Sequence, residues 1–166
     1  LDLAENAVQL LLKEDEMIWI ADHKLDRFDQ KINFFKSDSI FATPALPLAL
    51  RANAELIEKN MALSATIHDS NKIIWAQIGT VTVGGLCYEF KKFNIAYIVL
   101  SFTDPEYRGL GINLLCRQHF ENECQNNDVK FIKTKVHVDN KASIDNNIKM
   151  GLKPVLITMM KNLKKN

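Results

Sequence analysis

An α/β fold, built on a mixed but mainly antiparallel sheet flanked by helices, with one parallel crossover, is the architecture this 166-residue sequence predicts. Three observations point to it. The middle of the chain is dominated by β-branched and apolar runs separated by short turn clusters, the pattern of an antiparallel meander. A long segment of helical period follows, entered through a loop containing Gly109 and Gly111. Strand-like runs return beyond that helix, and strands linked through a helix lie parallel.

Taken in order, Leu3, Ala7, Leu10 and Leu11 recur at helical spacing over residues 3–14, ahead of the strand-like Met17-Ile18-Trp19-Ile20. Leu25, Phe28, Ile32 and Phe35 fall on one face of a predicted second helix. Pro44 and Pro47 precede a third, carrying Leu50, Ala54, Ile57 and Met61. Ala62–His68 and Ile73–Val83 then read as a hairpin around the turn cluster Asp69-Ser70-Asn71-Lys72. Gly84-Gly85 marks a bulge or bend, and Ile95–Thr103 is the next strand. A helix over about Gly109–Asn126 buries Ile112, Leu115, Cys116, His119 and Phe120. Phe131–Val138 is a strand, Lys141–Met150 a short helix and Pro154–Lys161 a closing strand.

Composition bounds the function. A chain of this length closes one hydrophobic core, so a single domain over 1–166 is predicted. With 21 Lys and Arg against 20 Asp and Glu there is no global field to recruit nucleic acid or an anionic membrane. Apolar runs such as Ile73–Val83 are broken well short of the roughly 20 residues a bilayer span needs. Three cysteines without framework spacing suggest reduced thiols, and the start carries no basic region before an apolar core, so a cytoplasmic setting is expected.

The chemistry concentrates where a strand turns into a helix. Backbone amides of Gly109 and Gly111 at that junction can point together toward an anion at the positive end of the helix dipole. Arg108 adds a charge-assisted contact. Two glycines that merely open a helix are an equal explanation for the pair alone. A P-loop requires Gly-Lys before Ser or Thr, which the chain lacks, and a dinucleotide fingerprint requires Gly or Ala where Leu114 stands.

The loop Asp104-Pro105-Glu106-Tyr107-Arg108-Gly109-Leu110-Gly111-Ile112, followed by Leu114-Leu115, resembles the acetyl-CoA pyrophosphate motif of the GNAT acetyltransferases. Arg108-x-x-Gly111 fits that motif until Asn113, where the family carries Gly or Ala; in the alternative frame Glu106 replaces Gln or Arg. Asn140, Ser143, Gly151 and Leu152 follow the spacing of a second family segment, and Met159-x-Lys161-x-Leu163 resembles many of its last strands. The resemblance covers about residues 62–163.

It implies a GNAT-like fold and an acetyl-CoA-dependent N-acetyltransferase without metal. Arg108, Gly109, Leu110, Gly111, Ile112 and Asn113 would cradle the pyrophosphate, Ser101, Phe102 and Thr103 would offer backbone groups to pantetheine, and Asn140 and Ser143 would complete the cofactor site. The acceptor would be a small-molecule or peptide amine, attacking the thioester directly. Many members carry a tyrosine where this chain has Asn147, which would stand near the sulfur and hydrogen-bond it but not protonate it. Thr103 replaces a common apolar residue, and the final hairpin reads as truncated, an edge that suits a homodimer. These departures keep open a catalytically weak or inactive acyl-CoA-binding regulatory module, and a structural domain that has lost the cofactor. Glu89, Tyr97 and His137 are candidate bases; a solvated strand end, a sheet aromatic and an exposed surface residue are the ordinary readings. Cys116, His119 and Cys124 read as a core face rather than a metal site, and Cys87 as a buried strand residue.

Overall fold

The computed structural model describes residues 17–25, 30–62 and 67–163. Strands β1 (Ile18–Leu25), β2 (Gln30–Ser37), β3 (Lys72–Ile78), β4 (Val81–Lys91), β5 (Ile95–Thr103) and β6 (Phe131–Thr134) lie side by side in sequence order. All neighbours are antiparallel except β5 and β6, which are parallel and joined through α2 (Ile112–Asn126). Helix α1 (Leu46–Glu58) connects β2 to β3, and α3 (Lys141–Lys149) follows β6. This is the mixed, mainly antiparallel architecture that the sequence predicts.

Two cores form because the sheet is apolar on both faces. One sets Ile32, Phe34, Leu86 and Ile98 beneath Ile112, Cys116 and Phe120 of α2. The other sets Ile73, Trp75, Leu100 and Phe102 beneath Leu48 and Ala49 of α1. Ile98 and Leu100, two residues apart on one strand, should share a face, yet they sit in opposite cores. The β4–β5 register explains it: Cys87 pairs with Leu100 but Tyr88 with Ile98, so Val99 is an extra residue that reverses the alternation.

Several elements differ from the sequence reading. The predicted helix through Leu25, Phe28, Ile32 and Phe35 is strand instead; Phe28 lies outside the described residues. A helix would set Ile32 and Phe35 on one side, whereas an odd spacing in a strand sets them on opposite faces. Ile32 is buried in the core under α2, while Phe35 stacks on Trp75 at 5.5 Å in the other. Helix α1 exists, with Pro47 inside its first turn, but it buries Leu48, Ala49 and Asn53 and leaves Leu50 and Ile57 exposed. The first residues of a helix carry no amide partner to lose, so the proline starts it.

The hairpin turns at Gly79-Thr80, with Gly79 at φ 60°, rather than at Asp69–Lys72, and splits the run Ile73–Val83 into β3 and the start of β4. Ile67 and His68 lie outside any strand, and residues 63–66 are outside those described. The expected bend at Gly84-Gly85 is present as a register shift, with Val83 the extra residue between the Gly84 and Thr82 pairs. Strand β6 stops at Thr134, short of Val138, and the closing strand Pro154–Lys161 is not paired into the sheet; Leu156, Ile157 and Met159 are each about nine-tenths exposed. High β-propensity does not by itself make a strand, because a strand exists only where its backbone pairs with a neighbour. The predicted helix over residues 3–14 lies outside the described residues.

Candidate functional site

The parallel pairing of β5 with β6 covers only Ile95–Ile98 against Phe131–Thr134. The side chain of Thr134 ends it, its hydroxyl donating to the carbonyl of Ile98 at 3.0 Å. From Val99, the bulged residue, to Thr103, β5 keeps β4 on one side and has no strand on the other. The sheet is therefore split, and one side of the main chain of β5 lines the split next to the glycine loop.

That loop is held from behind. The Asp104 amide donates to Val83 O at 2.9 Å, and the Asp104 carboxylate accepts the Glu106 amide at 3.0 Å, capping a single 3-10 turn over Pro105–Tyr107. A Cβ on Gly85 would stand 2.7 Å from the ring of Phe102, and one on Gly84 2.9 Å from Ile112. Glycine in β4 thus lets the end of β5 and the start of α2 close down on the sheet. Gly109 and Gly111 take φ of 80° and 78°, the left-handed region, and a Cβ on either would meet nothing within 4 Å. Gly111 is the N-cap of α2 and no side chain caps it. Leu115 N donates to Gly111 O, so the amides of Ile112, Asn113 and Leu114 have no acceptor within the helix.

The candidate residues do not contribute alike. The side chains of Ile112 and Phe102 are buried in the two cores, so only their backbones are available to a ligand. Leu110 packs against the core under α2. Arg108 is 62% exposed and stands 4.0 Å from the Glu55 carboxylate of α1. Asn140 caps α3, its side chain accepting the Ser143 amide at 3.3 Å. Asn147 donates to the Ser143 carbonyl at 2.9 Å and to its hydroxyl at 3.4 Å. Three residues around the split share a property: Ser101 Oγ, Asn113 Oδ1, and Arg117 Nε and Nη1 are buried without a hydrogen-bond partner. Ser101 alternates with Leu100 and Phe102 and pairs with Leu86, so it faces α2. Arg117 was missed in the sequence. Its signal is a charge one turn after Asn113, on the stripe that buries Ile112, Cys116 and Phe120.

Glu89 and Tyr97 are paired across β4 and β5 on the opposite face, toward α1. Glu89 accepts from Asn71 and from Lys91 at 2.8 Å, and the Lys91 ammonium holds its carboxyl below the usual range. Burial, with Glu89 second, pushes the Tyr97 hydroxyl up. His137 Nδ1 accepts the Asp139 amide at 3.1 Å beyond the end of β6. Burial holds Cys116 up at about 12 and raises Cys87 further, so neither is a nucleophile. Among the described residues no group of three His, Cys, Asp or Glu is placed to hold a metal, and no helix is long and apolar enough to cross a membrane. A cavity of about 250 Å³ lies around Lys36, Tyr88 and Glu123, at the far end of α2 from the loop, where the ion pairs Lys36–Glu123 and Lys72–Asp38, each at 2.8 Å, already neutralise its charges.

A parallel split beside an uncapped, glycine-entered helix defines an acyltransferase-type fold, and comparison with known proteins gives the family. Residues 39–147 match the acetyltransferase (GNAT) family. The chain belongs to that family and is an N-acetyltransferase by class. Similar solved structures include an aminoglycoside acetyltransferase from an uncultured soil metagenomic sample, in complex with trehalose, at 14% identity and TM-score 0.61, covering 84% of this chain and 99% of that one. An aminoglycoside N-acetyltransferase in complex with CoA is 10% identical, TM-score 0.55, with 73% and 94% covered. N-acetylglutamate synthase from Neisseria gonorrhoeae, complexed with coenzyme A and N-acetyl-glutamate, is 10% identical, TM-score 0.54, with 68% and 27% covered. These likenesses are of fold. None of the curated proteins compared with the chain matches it in sequence.

Proposed function

We propose that the chain transfers an acetyl group from acetyl-CoA to a primary amine by direct attack on the thioester. The observation that carries this reading is the split between β5 and β6, which leaves Val99–Thr103 without a strand on one side, beside the free amides of α2. The residues present fit the donor. Amides at the start of α2, with Gly109 and Gly111 leaving room above them, suit the pyrophosphate. The open main chain from Ser101 to Thr103 suits the amide groups of pantetheine, and the buried, unpartnered Ser101 Oγ and Asn113 Oδ1 mark polar positions that a bound molecule would complete. Asn140, which caps α3, and Ser143 would complete the cofactor site from the start of that helix. Arg108, at the exposed rim, would exchange its long contact with Glu55 for a phosphate.

Glu89 and Tyr97 lie on the other face of the sheet, where an amine would approach through the split. Neither is a strong base: Lys91 keeps Glu89 ionised, and Tyr97 is held protonated. The acceptor must then lose its proton largely to solvent, at a cost of about 4.6 kcal/mol for a lysine-like amine but about 1.4 kcal/mol for an amine of pKa near 8, at pH 7. This favours a small-molecule or peptide acceptor whose amine has a depressed pKa. An N–H of the open β5 backbone would stabilise the oxyanion. Asn147 supplies no proton, but a thiol of pKa about 8.5 leaves unprotonated at pH 7 for roughly 2 kcal/mol, which slows turnover without preventing it.

The test is CoA release from acetyl-CoA across a panel of α-amino, polyamine, aminoglycoside and lysyl acceptors. Release with at least one amine supports the enzyme. Tight acetyl-CoA binding with no release on any acceptor establishes the regulatory module instead.

A further inference from the structure

Arg117 is 4% exposed in the middle of α2. Its Nη2 donates to Asn147 Oδ1 at 2.8 Å, and its Nε and Nη1 find no acceptor. A cation buried in this way is costly, because each unmade hydrogen bond of a charged group costs more than that of a neutral one. Desolvation pulls its pKa down, but a guanidinium keeps its proton at any ordinary pH. The ionisable groups acting on it, Glu121 and Cys124, are both on its own helix, and the latter is a neutral thiol raised to about 11. Ser101 on β5 and Ser143 and Asn147 on α3 carry no charge. Among the described residues no carboxylate forms an ion pair with Arg117. Among the described residues Arg117 thus keeps a positive charge with two free donor groups and no carboxylate in contact with it.

Its depth selects the anion. Strand β5 climbs to the loop and α2 descends from it, so positions along the two can be compared. Arg117 is six residues below Gly111, about 9 Å along the helix, and its side chain tilts back toward the N-terminus. Ser101 is two residues below Thr103, about 7 Å down the strand. The two unsatisfied groups therefore sit at one level, below the phosphate loop. In an extended CoA the pantetheine arm runs down from the pyrophosphate, and the departing thiolate is the only anion that arm can present.

Resting on the reading of the split as an acyl-CoA site, we infer that Arg117 receives the departing thiolate and takes the place of a proton donor. The amine lone pair forms the C–N bond, the C–S bond breaks with its pair passing to sulfur, and the nitrogen's proton goes to water. The sulfur anion is then held by the free N–H groups of Arg117 until it is protonated in solution. Asn147 is a positioning residue here: its carbonyl orients the guanidinium, and its amide is tied back to Ser143.

The experiment measures the thiol pKa of bound CoA, from the ultraviolet absorbance of the thiolate, in wild type, Arg117→Met and Arg117→Lys. Arg117→Met keeps the volume apolar, so it is the variant most apt to fold, and acetyl-CoA affinity reports whether the site survives. The wild type is expected to lower the bound thiol by at least about one unit from its ordinary 8.5, Arg117→Met to abolish that shift, and Arg117→Lys to keep part of it. Where an acceptor turns over, Arg117→Met is expected to lower kcat at least tenfold with KM for acetyl-CoA little changed. Equal bound-thiol values in wild type and Arg117→Met overturn the inference, as does a loss confined to CoA and acetyl-CoA affinity, which would make Arg117 a phosphate ligand. No acetyl-CoA binding by the wild type instead overturns the reading on which it rests.

Discussion

Gly111→Trp separates the phosphate cradle from the fold that builds it. Gly111 has φ 78°, and any side chain there costs about 1–2 kcal/mol of backbone strain. Because a Cβ would meet nothing within 4 Å, an indole would project into the space above the amides of Ile112–Leu114 rather than into the core. Losing two charge-assisted hydrogen bonds at about 1.5–3 kcal/mol each removes about 3–6 kcal/mol, or roughly a hundredfold to ten-thousandfold in affinity. Gly79→Trp is the matched control, since Gly79 has φ 60°, is equally open and lies in the β3–β4 turn. Calorimetric titration with acetyl-CoA, beside a urea melt, reads both terms. The two variants should lose similar stability, and only Gly111→Trp should lose binding. Retained affinity in Gly111→Trp would refute the cradle, and equal loss in both variants would show that the effect passes through stability.

Other outcomes follow from the packing. Gly85→Ala sets a methyl 2.7 Å from Phe102 and 3.0 Å from the Ile74 carbonyl, and should cost about 1–3 kcal/mol and lower Tm. Phe120→Ala empties a fully buried ring site against Tyr88, at 4.9 Å, and should cost about 3–5 kcal/mol in a urea melt. Asn140→Ala removes the cap of α3 and should cost about 1 kcal/mol, with weaker acetyl-CoA binding. His119, packed on Phe34 and 3.4 Å from His23, has its pKa lowered from 6.5 by burial first and His23 second. The unfolded chain then binds a proton that the folded chain resists, so stability is unaffected well above pH 6.5 and falls as pH drops through that value. A urea melt across that range should show a steeper decline for wild type than for His119→Gln.

The candidate site is more legible in the sequence than the elements around it. The glycines at 109 and 111 and the run Ile95–Thr103 are local signals, because positive φ and β-branched composition need no knowledge of neighbours. The strand β2 was hidden: Ile32 and Phe35 fit a helical period, and only Phe34 between them signals alternation. The rotated face of α1 was illegible for the same reason, since Leu48, Ala49, Leu50 and Ile57 offer two stripes and the sheet selects one. The split has no local signature at all. It arises from a single extra residue, Val99, and from where β6 stops. Arg117 was visible as a letter, but its meaning depends on Asn147 arriving from another helix.

The most direct test of the account is the map of backbone amide shifts, by NMR, on adding acetyl-CoA to the wild-type chain. The account predicts the largest changes at Gly109–Leu114 and Val99–Thr103, with the Gly79-Thr80 turn unmoved. Saturable changes confined to the cavity around Lys36 and Glu123, or none at either stretch, would contradict it.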